Sequence, residues 1–118
     1  MPLSDLSEPA TLNLKFVAGD SFSRTIRLLE SDSTPIDLTG LTGRAQIRDR
    51  PKGKLLGTFT VTIPTPTNGE VTFALTATET RALPGSGVWD LELDGGDTNT
   101  HTIVSGTVKV MPDVTVAP

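Results

Sequence analysis

The sequence predicts an all-β domain, an antiparallel sandwich of about seven strands with one short crossover helix. Three observations carry that prediction. Apolar residues alternate with polar ones at period two in one segment after another, as in strands with one face in a core and one in water. Clusters of Gly, Pro, Asp and Asn separate these segments at fairly regular spacing, as sandwiches and small barrels require. The chain has 118 residues, 36% of them hydrophobic and none of them Cys. That allows one domain with one modest core and no disulfide to staple it.

The elements follow in order. Leu12, Leu14 and Phe16 alternate with Asn13 and Lys15 to give the first strand, and Gly19-Asp20 reverses the chain. Phe22, Ile26 and Leu28 mark the second strand, closed by the turn cluster around Asp32 to Pro35. Asp37-Leu38-Thr39-Gly40 reads as a side-chain-capped turn that buries Leu38. The third strand carries Ala45 and Ile47 inward between Arg44, Gln46 and Arg48, and turns through Asp49 to Gly53. Phe59, Val61 and Ile63 alternate with Thr58, Thr60 and Thr62 in the fourth, which Pro64 and Pro66 stop. Val71, Phe73 and Leu75 form the fifth after the turn at Asn68-Gly69.

The period then breaks. Thr76 and Glu79 have the spacing of a capping box, in which each side chain satisfies the other's backbone amide at a helix start. The spacing predicts a short helix over Thr76 to Leu83, ended by Pro84. Such a helix is unstable alone, so it must pack on the sheet as a crossover between two layers. Trp89, Leu91 and Leu93 alternate with Asp90 and Glu92 in the sixth strand. Val104, Val108 and Val110 share a face of the seventh, opposite Ile103, Ser105, Thr107 and Lys109. The predicted core is Phe16, Phe22, Ile26, Ile47, Phe59, Val61, Phe73, Trp89, Leu91, Val104 and Val108. Residues 11–110 make the domain, with 1–10 an N-terminal arm and 111–118 a C-terminal tail. Strands of this number and spacing read as an immunoglobulin-like sandwich.

Chemistry is sparse. Ten Lys and Arg against 14 Asp and Glu leave a net charge of −4, which argues against a nucleic-acid partner. A single His, His101, and no Cys remove most catalytic and metal-binding arrangements. Asp90 and Glu92 lie on one strand face and read as a solvated surface rather than an acid–base pair. Asp94-Gly95-Gly96-Asp97 reads as a hairpin turn, since it lacks the alternating oxygen ligands of a calcium loop. The expectation is therefore no enzyme, no cofactor and no metal. No apolar run is long enough to span a membrane, and residues 1–10 do not read as a secretory signal.

Two features point to contacts instead. Arg44, Arg48, Arg50 and Lys52 form the main basic cluster, either a solvated face or a contact patch for an acidic neighbouring subunit. Leu3, Leu6, Val114 and Val116 are apolar residues on end segments too short and Pro-interrupted to make a core. They predict arms that order against neighbouring subunits, with Asp5, Glu8 and Asp113 available to meet the basic face of another copy.

The order of motifs also carries a resemblance. Ala18-Gly19-Asp20-Ser21-Phe22, Pro35-Ile36-Asp37-Leu38-Thr39-Gly40 and Arg44-Ala45-Gln46-Ile47-Arg48 come first. Gly69-Glu70-Val71-Thr72-Phe73, Leu75 to Thr80, Leu83-Pro84 and Gly87 to Leu93 follow. This series resembles small structural proteins of tailed bacteriophages and prophages. It is similar in particular to the N-terminal domain of phage baseplate upper proteins, over about residues 12 to 115. The resemblance implies a β-sandwich without catalytic residues, located in the virion and assembled in the host cytoplasm. Its implied partners are other virion proteins, namely tail, baseplate or capsid subunits, in multiple copies per particle. A tail, baseplate or fibre-attachment subunit is the expectation. The alternatives are a capsid decoration (cement) protein and a host-surface carbohydrate-binding module, which would need an exposed aromatic platform.

Overall fold

The computed structural model describes residues 10–30, 32–95 and 100–115. Among the described residues eight strands run in chain order: β1 (Ala10–Thr11), β2 (Leu14–Val17), β3 (Phe22–Arg27), β4 (Thr42–Arg48), β5 (Leu55–Thr62), β6 (Glu70–Leu75), β7 (Ser86–Asp94) and β8 (Thr100–Met111). One short helix, α1 (Ala77–Arg81), joins β6 to β7. Strand order is β1-β8-β7-β4-β5-β6-β3, with β2 also on β8. The first layer is β1 and β2, β8, β7, β4 and the start of β5; the second is the end of β5, β6 and β3. The protein is an all-β, immunoglobulin-like sandwich.

One strand belongs to both layers. Ala45 and Gln46 of β4 pair with Phe59 and Thr58 of β5, and two residues later Thr60 to Thr62 pair with Ala74 to Thr72 of β6. The ladder is thus a single sheet curled on itself at β5. Pro64 and Pro66 stop this strand as predicted, and a 3-10 turn at Pro66–Asn68 leads into Gly69 in the left-handed region.

The inner faces meet around all five aromatic residues of the chain. Phe73 and Trp89 lie 4.9 Å apart between ring centroids, Phe59 and Trp89 5.6 Å, and Phe16 and Phe22 4.9 Å. Offset and edge-on rings at these spacings add to the area they bury. Leu38 and Ala45 are buried as expected, Leu14, Val71, Leu75, Leu93 and Val110 extend the alternating apolar rows, and Ile36 and Ile103 join the core as well. Ile26 and Val61, expected inside, are only partly buried at its margin.

Two departures from simple alternation have identifiable causes. Strands β1 and β2 run parallel to β8 rather than antiparallel to a neighbour. Gly106 makes this approach possible, because a Cβ there would collide with the Leu12 carbonyl. That carbonyl accepts a 2.8 Å hydrogen bond from the Trp89 indole, and Asn13 Oδ1 accepts one from the Thr107 amide. The second departure is a bulge in β8: Leu91 faces Val104, but Glu92 faces Thr102. Ile103 is the extra residue, so both it and Val104 turn inward. This corrects the expected outward row, in which Ile103 stood opposite Val104.

The crossover helix forms as its cap dictates. Thr76 Oγ1 accepts from the Glu79 amide at 3.2 Å, while the Thr76 amide donates to Glu79 Oε1 at 2.8 Å. The helix covers Ala77–Arg81, shorter than the Thr76–Leu83 span expected. It is held through Thr80, which is fully buried. The Thr80 hydroxyl accepts from the Gly19 amide at 3.0 Å and donates to the Asp20 carbonyl at 2.8 Å. Gly19 has φ +88°, a conformation favourable to glycine, and a Cβ there would meet the Arg81 guanidinium at 2.6 Å. Arg81 in turn lies 3.7 Å from Asp113. Contacts among the described residues run from Ala10 in β1 to Asp113.

Candidate functional site

The outer face of the first layer sets basic and acidic side chains on adjacent strands. Strand alternation puts Ala45 and Ile47 into the core, so Arg44, Gln46 and Arg48 of β4 point away from it. Across the ladder, Trp89, Leu91 and Leu93 are buried and Val88, Asp90, Glu92 and Asp94 of β7 point outward. Register sets Arg44 opposite Glu92, Gln46 opposite Asp90, and Arg48 opposite Val88. A basic stripe on β4 thus lies beside an acidic stripe on β7.

The stripes interact unevenly. Arg44 Nε is 3.5 Å from Glu92, and its terminal nitrogen is 4.0 Å from Asp94. Arg48 instead donates to the Gly53 carbonyl at 2.8 Å and to Gln46 Oε1 at 2.9 Å. Its guanidinium braces the β4–β5 hairpin rather than a carboxylate. Asp90 makes no hydrogen bond or ion pair among the described residues. Burial raises its pKa above the usual carboxylate range, the Glu92 charge adds to the rise, and Arg48 opposes it.

A shallow groove of about 740 Å³ crosses this face, with Asp90 and Glu92 on one side and Pro51 and Lys52 of the hairpin on the other. The hairpin tip is closed by the Gly53 amide on the Arg50 carbonyl, 2.8 Å, and by the Lys54 amide on Asp49 Oδ1, also 2.8 Å. Lys52 sits at φ +61°, where a side chain is strained.

The predicted contact residues are brought together in part. Arg44 and Arg48 share the outer face as expected, while Arg50 and Lys52 occupy the exposed hairpin tip. Sequence reading treated the basic cluster and the Asp90–Glu92 pair separately. Their interleaving depends on β4 pairing with β7, a contact between distant segments that local alternation does not record. Val114 is 97% exposed. Leu3, Leu6 and Val116 lie outside the described residues. His101 is half-buried opposite Leu93 at the start of β8. Among the described residues no three His, Cys, Asp or Glu side chains gather as a metal site.

The second layer presents a different outer face. Register aligns Ser23, Ala74 and Thr60 in one row and Thr25, Thr72 and Thr62 in the next. Thr25 and Thr72 share a 2.8 Å hydroxyl–hydroxyl hydrogen bond. Charge appears at one end of the face, where Arg27 stands opposite Glu70. A smaller groove lies beside Ser21, Ser23, Thr60 and Glu79. The aromatic platform that a carbohydrate-binding module would use is missing, because all five aromatics are core residues, Trp89 at 3% exposure.

No protein-family model matches the chain, and no curated protein does. Among solved structures, the immunoglobulin-like domain of mouse leukocyte-associated immunoglobulin-like receptor 1, crystallised as a strand-swapped dimer, is similar. The two share 17% identity with a TM-score of 0.47, over 86% of this chain and 88% of that one.

Proposed function

We propose that the chain is a non-enzymatic structural subunit of a tailed-bacteriophage particle, a tail, baseplate or fibre-attachment component present in many copies. The observation that supports this reading is what the resemblance-bearing motifs do. Gly19-Asp20 forms the turn that receives Thr80, and Asp37 caps its own turn by accepting from Thr39. Thr76–Glu79 caps the crossover helix, and Gly87 to Leu93 carries Trp89 and the acidic stripe. The motifs thus build a scaffold and leave charged surface on its outside, which suits a part held by its neighbours. Capsid decoration is the nearest variant of the same role.

Mass spectrometry of purified particles of the phage that encodes the chain, after separation of heads from tails, tests it. Recovery with tails in many copies is the expected result. Recovery with heads would move the chain to decoration, and absence from both fractions would overturn the structural role.

A further inference from the structure

We propose that the outer face of the first layer docks a second copy of this chain through a two-fold axis running along the strands between β4 and β7. The inference stands on the face itself and does not depend on the particle reading. An interface between identical copies must be complementary to itself under its symmetry axis. Here β4 carries Arg44 and Arg48 outward, and the adjacent β7 carries Asp90 and Glu92. An axis parallel to the strands and midway between them exchanges the two stripes. Each copy's basic stripe then lies over the other's acidic stripe, twice over. An axis across the strands would instead set Arg over Arg and Asp over Glu, so the charge pattern selects one orientation. Sheets stacked face to face sit about 10 Å apart with strands within about 30° of each other, a gap that Arg side chains bridge.

The monomer leaves one match open. Glu92 and Asp94 already have Arg44, whereas Asp90 makes no hydrogen bond or ion pair among the described residues and Arg48 directs two of its donors to the Gly53 carbonyl and the Gln46 amide oxygen. Arg48 is level with Val88 and Asp90 with Gln46, so their levels on adjacent strands differ by two residues, about 7 Å along the strand. The rotation between stacked sheets brings Arg48 of one copy towards Asp90 of the other. Complementary charge sets register and encounter rate more than affinity, so this association is weak, salt-sensitive and favoured where copies are concentrated.

Sedimentation velocity over a range of protein concentrations tests the proposal, at salt of about 0.01 M and about 1 M. The wild type should form a dimer at low salt, with at least tenfold weaker association at high salt. Arg44→Glu with Arg48→Glu makes both stripes acidic, and Asp90→Lys with Glu92→Lys makes both mainly basic, with Asp94 the carboxylate that remains. Each double variant should stay monomeric alone, and an equal mixture of the two should restore the dimer, because the stripes again oppose. Should a double variant fail to fold, the milder Arg48→Ala and Asp90→Asn proteins should each weaken the wild-type dimer. A wild type that stays monomeric at every concentration, an association indifferent to salt, an assembly larger than two, or folded double variants that do not pair would each overturn the proposal.

Discussion

The two outer faces of the sandwich arise from the same strand alternation over one shared core, and they carry opposite kinds of surface. On the first layer, Arg44 and Arg48 run beside Asp90, Glu92 and Asp94. On the second, Ser23, Thr25, Thr60, Thr62 and Thr72 present hydroxyls. Threonine favours the pleated surface and its hydroxyl is satisfied cheaply by water or a neighbour, as Thr25 and Thr72 show. Charges at fixed register give orientation to a contact, and hydroxyls do not. Stability and contact chemistry are thus separable: the core serves both faces, and one face carries the directional information.

The largest expected effect breaks the comparison by removing what lies beneath both faces. Trp89→Ala should cost about 3–5 kcal/mol in urea unfolding, because it empties the centre of the aromatic cluster. Trp89→Phe keeps most of the ring contact but leaves the partly buried Leu12 carbonyl without its indole donor, at about 1 kcal/mol. A loss within experimental error for Trp89→Ala would show that this residue does not hold the two layers together.

At the edge of the second layer, Thr80→Val should cost about 1–3 kcal/mol, since it strands the Gly19 amide and the Asp20 carbonyl around a buried position. The outer faces themselves should respond far less. Arg44→Glu sets a third carboxylate beside Glu92 and Asp94, and should destabilise by no more than about 1 kcal/mol at low salt, fading as salt rises. Thr72→Val on the hydroxyl face should stay within about 0.5 kcal/mol and show no salt dependence. If Thr72→Val were the more damaging and the more salt-sensitive, the division between the faces would be wrong.

Acidity sharpens the same contrast at still smaller amplitude. The folded state raises the pKa of Asp90, so it binds that proton more tightly than the unfolded chain does. Stability from this group therefore falls as pH rises from the ordinary carboxylate value, 3.8, through the raised folded value, and Asp90→Asn should flatten that fall. Asp37 works in the opposite direction. The Thr39 hydroxyl and then its amide lower the Asp37 pKa, so that contribution is present above 3.8 and lost as pH falls through the lowered value. Thermal melts across this range, wild type against Asp90→Asn, read the difference.

Much of this architecture was legible from local pattern. Alternation placed Ile47, Phe59, Phe73, Trp89 and Leu91 inside, and turn chemistry placed the Asp37 turn, the Pro64 stop and the Thr76–Glu79 cap. These are decisions made within a few residues. The parallel docking of β1 and β2, the sharing of β5 between layers and the inward turn of Ile103 depend on which distant strand lies alongside. The candidate face suffered the same way: its basic residues and its carboxylates were each visible, but their juxtaposition is a property of the β4–β7 ladder.

Carboxylate labelling read by mass spectrometry, on dilute and on concentrated low-salt protein, tests most directly the claim that contact runs through the charged face. Asp90 and Glu92 should lose reactivity on concentration, while Glu70 beside the hydroxyl face and Asp37 in its turn should keep theirs. Protection of Glu70 with Asp90 and Glu92 unchanged, or no change at any of the four, would contradict it.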